Sequence, residues 1–140
     1  MDLPAPAPPK LEKLRKRAQF LAVARGRSAA RGAVVIQALP REGDAPSHGI
    51  GVGFTATKKI GGAVERNRAK RRMREAARSI LPLHGLNGHD YVLIARQGAI
   101  TRPWARLLDD VESALISLAA GGDDPRPARK PRAPAPPRPA

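Results

Sequence analysis

Lysine and arginine side chains crowd one short stretch of this 140-residue sequence. The segment from Lys58 to Arg78 carries nine cations and only two carboxylates, Glu65 and Glu75, so its local net charge is +7. The chemistry that these residue types offer is the binding of anions, and the planar fork of arginine suits bidentate contacts to phosphate oxygens.

The charge of the whole chain points in the same direction. A formal net charge of +14 indicates a polyanionic partner, which is either nucleic acid or an anionic membrane surface. The start "MDLPAPAPPK" has no apolar core of a signal peptide, and no run of about 18 apolar residues occurs. We therefore expect a cytoplasmic protein with a nucleic-acid partner and no membrane partner.

Other kinds of chemistry find little support in the sequence. The chain has no cysteine, which excludes thiolate nucleophiles, disulfides and cysteine-ligated zinc. Its three histidines, His48, His84 and His89, show no metal-binding spacing, and we interpret them as surface residues. We expect neither a catalytic residue nor a metal site on this protein.

One folded domain is expected between two Pro-rich ends. A chain of this length has enough material for one core. Residues 1–10 and 121–140 cannot bury enough apolar surface to offset chain entropy, so both are predicted to be disordered. The basic tail is open to two interpretations, a nonspecific contact with phosphates or a solubilising appendage. Residues 11–120 should hold the fold that positions the basic segment.

Hydrophobic periodicity predicts the elements of that domain. "RAQFLAVARG" predicts a short helix that ends before Gly26, and apolar or alternating runs predict strands over residues 33–39, 50–57 and 90–96. The second of these strands has a face of glycine and threonine that would allow close approach of another group. A closing helix is predicted from Thr101, as its cap, with an apolar stripe and a solvated acidic face formed by Asp109, Asp110 and Glu112.

The basic segment itself predicts an amphipathic helix that begins near Val64. Its apolar positions fall within one arc of about 100°, the width expected for a helix lying on a sheet. They are Ala69, Met73, Ala76, Ala77 and Ile80. The opposite side is almost wholly cationic and also holds Asn67; its charges are Arg68, Lys70, Arg71, Arg72, Arg74 and Arg78.

This cationic side favours a binding face over a merely solvated one. Glu75 has the spacing to pair with Arg71 or Arg72, but like charges four residues apart cost about 0.2–0.5 kcal/mol each unless a polyanion relieves them. Gly61 and Gly62 precede the helix without a capping side chain, which leaves either an anion-accepting helix start or a plain turn.

The same residues carry a family resemblance. "FTATKKIGGAVERNRAKRRMREAAR" followed by "DYVLIAR" resembles the protein subunit of bacterial ribonuclease P, whose pattern is a strand, a two-lysine turn, a glycine and a helix opening with Arg-Asn-Arg. The resemblance covers roughly residues 11 to 119 and leaves both Pro-rich ends outside. It implies an α+β fold, a single-domain α/β sandwich of order αβββαβα with a left-handed βαβ crossover.

The resemblance also implies a division of labour. An RNA subunit with bound Mg²⁺ would hydrolyse the phosphodiester that joins the 5′ leader to mature tRNA, and the protein would be an accessory with no obligate protein partner. The residues implied to contact the catalytic RNA are Arg66, Asn67, Arg68, Lys70, Arg71 and Arg74. Those implied to contact the single-stranded leader, in a cleft between the first helix and the sheet, are Phe20, Ile36, Lys58 and Lys59.

The sequence leaves two other functions open. One is a structural, ribosome-associated protein, which would have the same small, basic α/β fold. Such a protein would not lower the Mg²⁺ concentration that a catalytic RNA needs for cleavage, whereas a ribonuclease P subunit would. A self-sufficient nuclease is the other, but the sequence has no Asp, Glu and His cluster in its ordered region that would serve as acid and base or hold two metals.

Overall fold

The computed structural model describes residues 11–41, 49–86 and 88–122, and these form one α+β unit. In chain order the elements are β1 (Leu11–Lys13), α1 (Arg17–Ala24), β2 (Arg27–Arg31), β3 (Val34–Pro40), β4 (Ile50–Ala56), α2 (Ala63–His84), β5 (His89–Ala95) and α3 (Trp104–Ala119). The predicted disordered ends lie outside the described residues, apart from Gly121 and Gly122, and so does His48.

The strands form a single sheet in the order β1-β4-β5-β3-β2. β4 pairs in parallel with both β1 and β5, whereas β3 pairs antiparallel with β5 and with β2. From α1 onward the order is αβββαβα, as the resemblance implied. The expected βαβ crossover is formed by β4, α2 and β5, and its left hand stays a prediction.

Helices cover the two faces of the sheet unequally. α2 and α3 pack on one face around the main core, where Ile36, Met73, Leu93 and Leu107 are completely buried. α1 packs on the other face over a smaller cluster formed by Leu14, Val23 and Val92. Since α1 has only eight residues, it leaves part of its face of the sheet uncovered.

The apolar stripe predicted for the basic helix is confirmed. Four of its five positions are buried in α2, while Ile80 is half-buried and packs against the core. Leu81 completes the buried stripe, and the helix continues through Pro82 to His84. None of the helices in the described residues is both long and apolar enough to cross a membrane.

Two details of the closing helix were predicted wrongly. α3 begins at Trp104 with Pro103 as its N-cap residue, so Thr101 lies in the preceding turn and does not cap the helix. Asp110 is buried rather than solvated, because its carboxylate accepts hydrogen bonds from Arg102 Nε at 2.7 Å and from the Ala33 amide at 3.2 Å. Asp109 is exposed, as predicted.

Candidate nucleic-acid interface

The two lysines predicted beside the leader lie in a short 3₁₀ turn, Lys58–Ile60, directly after β4. Ile60 packs against the main core, and both lysine side chains are exposed. Because Thr55 faces α1 while Ala56 faces α2, the turn leaves the sheet at the boundary between its two faces.

The start of α2 favours a plain turn over an open anion site. The Glu65 side chain folds back, and its Oε1 accepts a hydrogen bond from the Gly62 amide at 3.1 Å. Gly61 has a φ of 142°, which turns the chain from the 3₁₀ turn into the helix. The Gly62 amide therefore has a hydrogen-bond partner within the protein, and the Glu65 carboxylate occupies the position that a bound anion would take.

The outer side of α2 is an unneutralised cationic surface. Asn67, Arg68, Arg71 and Arg74 are exposed, and Arg66 and Lys70 are half-buried. Within the described residues, none of these five cations has a carboxylate within salt-bridge distance. We call this set the α2 cationic face: Arg66, Asn67, Arg68, Lys70, Arg71 and Arg74.

Carboxylates that might have neutralised this face are committed elsewhere. Glu75 pairs with Arg78 at 3.2 Å, not with Arg71 or Arg72 as the spacing suggested. Glu112 contacts His84 Nε2 at 2.8 Å, at the far end of α2. The charge of the face therefore persists in the folded protein.

Two further carboxylates, those of Asp90 and Glu12, bind Arg41 and link three strands of the sheet. Arg41 donates to Asp90 at 3.0 Å and to Glu12 at 3.1 Å, which ties the end of β3 to β5 and β1. Burial by itself would lower the pKa of Arg41, but the hydrogen bonds and negative charges of Asp90 and Glu12 outweigh that effect and raise the pKa. The guanidinium stays charged at any physiological pH.

Arg72 differs from its cationic neighbours, although the sequence placed it on the same outer side. One of its terminal nitrogens donates to the carbonyl oxygens of Ala99 at 2.6 Å and Ile100 at 2.7 Å. Its guanidinium carbon also lies 5.6 Å from the ring centroid of Trp104. Arg72 therefore joins α2 to the loop before α3 and belongs to the fold rather than to the α2 cationic face.

The part of the other sheet face that α1 leaves uncovered is a partly exposed surface beside that helix. Phe20 is half-buried and its ring lies on the backbone of Gly53, where a Cβ would come within 2.5 Å of the ring. The strand pairing places Val35, Thr55 and Ile94 on the same face, and all three are half-buried. This set, Phe20 with Val35, Thr55 and Ile94, is the α1 cleft.

Ile36 is not part of the α1 cleft, and its prediction as a leader contact is wrong. Its side chain is completely buried in the main core, on the sheet face covered by α2 and α3. Alternation along β3 turns its neighbours Val35 and Gln37 toward α1 instead. The half-exposed apolar residue on the α1 side of β3 is thus Val35. It would have been identified from the sequence if the two faces of β3 had been assigned correctly.

In the part of the chain that the structure describes, no three His, Asp or Glu side chains come close enough to hold a metal ion. His84 and His89 are half-buried rather than fully exposed, so their interpretation as plain surface residues needs correction. The expectations of no catalytic residue and no metal site stay predictions.

Comparison with known proteins agrees with this architecture. The sequence profile described as "Ribonuclease P" matches residues 9–119, which spans all the helices and strands. The chain belongs to the ribonuclease P protein family. A family member from Caulobacter vibrioides, named ribonuclease P protein component, is 64% identical over 119 residues, covering 85% of this chain and 78% of that protein. One from Ruegeria pomeroyi is 52% identical over 108 residues, covering 76% and 86%.

Solved structures of the family share the fold. The RNase P protein from Staphylococcus aureus superposes with a TM-score of 0.61 at 27% identity, covering 80% of this chain and 97% of that one. The RNase P protein from Thermotoga maritima gives a TM-score of 0.56 at 26% identity, covering 73% and 96%. The five-stranded sheet with three helices is therefore the fold of the family, and the α2 cationic face and the α1 cleft both lie within the matched residues.

Proposed function

We propose that this family member assists the catalytic RNA of ribonuclease P in the Mg²⁺-dependent removal of the 5′ leader from precursor tRNA. The observation that carries the proposal is the α2 cationic face, whose charges have no carboxylate partners among the residues that the structure describes. A surface with so much uncompensated charge gains free energy when phosphates approach it and counterions are released.

The α2 cationic face is assigned to the catalytic RNA. Its arginines stand on a helix whose opposite side is buried in the main core, so the backbone that carries them is fixed before RNA binds. Asn67 is exposed among them and offers both a donor and an acceptor for a ribose or a base edge.

The α1 cleft is assigned to the single-stranded leader. Phe20 provides an aromatic surface on which a base stacks irrespective of sequence, and Val35 and Ile94 provide apolar contacts beside it. Lys58 and Lys59 lie between the α1 cleft and the α2 cationic face, where they would contact phosphates at the junction of leader and catalytic RNA. Phe20 is the one aromatic residue of the α1 cleft, so the contact with the leader depends mainly on apolar packing and charge.

The chemical step is assigned to the RNA subunit, with Mg²⁺ bound mainly by RNA. The contribution of this chain is electrostatic and positional: its cations screen repulsion between closely placed phosphates, so that the complex forms at a lower Mg²⁺ concentration. A cytoplasmic location and the lack of an obligate protein partner stay predictions.

Reconstitution tests the proposal directly. The full chain is added to the cognate catalytic RNA and a precursor tRNA, and cleavage is followed over a Mg²⁺ titration. We expect the protein to lower the Mg²⁺ concentration needed for half-maximal cleavage. If the protein binds the RNA but leaves the metal requirement unchanged, it is a structural RNA-binding protein, and the proposal is wrong.

A further inference from the structure

A row of four cations borders a groove between α2 and the edge of the sheet. Arg66, Lys70, Arg74 and Arg78 follow one another at four-residue spacing on the side of α2 that faces β4 and β1. Successive members are displaced by about 6 Å along the helix axis. The row therefore spans about 18 Å of the helix, with one cation at each turn.

The groove deepens into two cavities that share Phe54 as a wall. One, of about 320 Å³, lies beside Arg66, Asn67 and Lys70 at the start of the helix. The other, of about 300 Å³, lies where β1 joins the sheet, and we call it the β1 pocket. The β1 pocket is lined by Lys13, Phe54, Arg74 and Arg78, and Leu11, Val52 and Ala77 form its apolar floor.

The β1 pocket exists because a three-residue strand extends the sheet past β4. Leu11 and Lys13 pair with Ile50 and Val52, which places their side chains on the α2 side of the sheet. Lys13 is exposed at the rim, opposite the arginines of the helix. The half-buried ring of Phe54 lies below, with the Arg74 guanidinium 5.6 Å from its centroid.

We propose that the β1 pocket holds one unpaired nucleotide of an RNA strand whose phosphates follow the four-cation row. The base lies against the Phe54 ring and the Arg74 guanidinium plane, two surfaces on which bases stack. Lys13 and Arg78 contact the phosphates on either side of it. The inference rests on the proposed function and extends it, because the pocket lies beyond the Arg-Asn-Arg segment and uses a strand that the sequence did not predict.

The composition of the β1 pocket selects a single-stranded nucleotide over other polyanions. An acidic peptide could pair with the cations, but its carboxylate side chains have no flat ring that would pack on the apolar floor beside Phe54. A paired RNA helix presents phosphates to the row but keeps its bases stacked inside, so it cannot fill the cavity. The exposed salt bridge between Arg78 and Glu75 contributes little free energy, so a phosphate can replace Glu75 as the partner of Arg78.

The test compares three probes on the full chain by fluorescence anisotropy. They are a short oligouridylate, the same strand with abasic sites, and a blunt-ended RNA duplex with an equal number of phosphates. We expect Phe54→Leu to weaken binding of the oligouridylate about fivefold or more and to leave the abasic strand unaffected. We expect Lys13→Ala with Arg78→Ala to flatten the slope of log K against log salt for the oligouridylate by about 0.7 per lost contact.

A matched control removes a cation that belongs to neither proposed RNA surface. Arg106→Ala, an exposed residue near the start of α3, should leave all three affinities unchanged apart from a small general charge effect. Because Phe54 packs against the core, thermal unfolding is measured for each variant, and the Lys13 and Arg78 pair keeps the test valid if Phe54→Leu is unstable.

Three outcomes would overturn the pocket. The first is an equal loss of affinity for the oligouridylate and the abasic strand with Phe54→Leu. The second is an equal loss of affinity for the oligouridylate and the duplex with the Lys13 and Arg78 variant. The third is displacement of the oligouridylate by an acidic peptide of equal charge at the same concentration. None of these alters the Mg²⁺ titration of wild-type protein with catalytic RNA. Failure of the pocket and failure of the proposed function are thus told apart.

Discussion

The guanidinium carbon of Arg74 lies 5.6 Å from the ring centroid of Phe54. The contact links an exposed residue of α2 to a half-buried residue of β4, so it joins the cationic side of the helix to the core side of the sheet. A cation–π contact near the surface contributes about 0.5–1 kcal/mol. That gain is too small to account for the concentration of like charge on α2, which is explained better by an anionic ligand.

Replacing Arg68 and Arg71 together with alanine should weaken binding of the catalytic RNA. Both side chains are exposed on the α2 cationic face, and each lost phosphate contact should flatten the log–log salt slope by about 0.7–0.9. Filter binding over a range of KCl concentrations measures this slope. Arg25→Ala with Arg106→Ala, which removes two exposed cations elsewhere, serves as the control. An unchanged slope in the first variant would show that α2 does not face phosphate.

Arg72→Ala should act on stability instead. It removes two hydrogen bonds from a charged donor to the carbonyls of Ala99 and Ile100, and we expect the free energy of unfolding to fall by about 1–3 kcal/mol. Arg71→Ala, one residue away and exposed, should change it by less than about 0.5 kcal/mol. Urea denaturation of both variants measures the difference, and equal stabilities would contradict the structural role of Arg72.

Phe20→Leu should reduce the preference for precursor tRNA over mature tRNA. Leucine retains apolar contact with the Gly53 backbone but offers no ring for a leader base, and one stack is worth about 1–3 kcal/mol. The affinities of holoenzyme for the two RNAs give the ratio. Leu21→Ala, on the exposed side of α1, is the matched control and should keep the ratio of the wild type. A parallel loss for both RNAs would place the leader away from Phe20.

Gly32→Ala should destabilise the fold more than Gly98→Ala does. Both glycines have positive φ, 51° and 95°, so both variants carry backbone strain. Only at Gly32 would the new methyl group meet a carboxylate, that of Asp110, whereas nothing lies near Gly98. Displacing Asp110 leaves the buried Ala33 amide unpaired, which adds about 1–3 kcal/mol. Thermal unfolding measures the difference, and an equal decrease in melting temperature for the two variants would contradict the contact between Gly32 and Asp110.

Tyr91→Phe should abolish a loss of stability at alkaline pH. Burial raises the pKa of Tyr91, opposed by the weaker effect of the Leu86 amide, which donates to its hydroxyl oxygen at 3.0 Å. Above about pH 10 the unfolded chain releases this proton while the folded chain retains it, so the free energy of unfolding falls as pH rises. At neutral pH the free energy of unfolding of the variant should be about 1 kcal/mol lower than that of the wild type. Urea denaturation at a series of pH values should show this difference becoming smaller above pH ~10.

The long periodic elements could be predicted from the sequence, whereas the short or polar strands could not. β3, β4 and β5 and the start of α2 appear within a residue or two of their predicted positions because each element buries a regular apolar stripe, although α2 continues four residues past Ile80. β1 has three residues, too few to show a period, and it is a strand only because it pairs with β4. β2, "RSAAR", buries Ala29 alone, so its pattern carries almost no signal.

The sequence by itself determined the charge of the α2 cationic face, the helix that displays it and the family to which these residues point, because helical periodicity separates the two sides of one element. Only the tertiary structure decided which charges are free for a ligand. Arg72 and Asp110 look like solvent-facing residues locally, yet each bonds to a partner distant in the chain, 27 residues away for Ala99 and 77 for Ala33. Local periodicity carries no record of such partners, since the packing of α2 and α3 on the sheet brings them together.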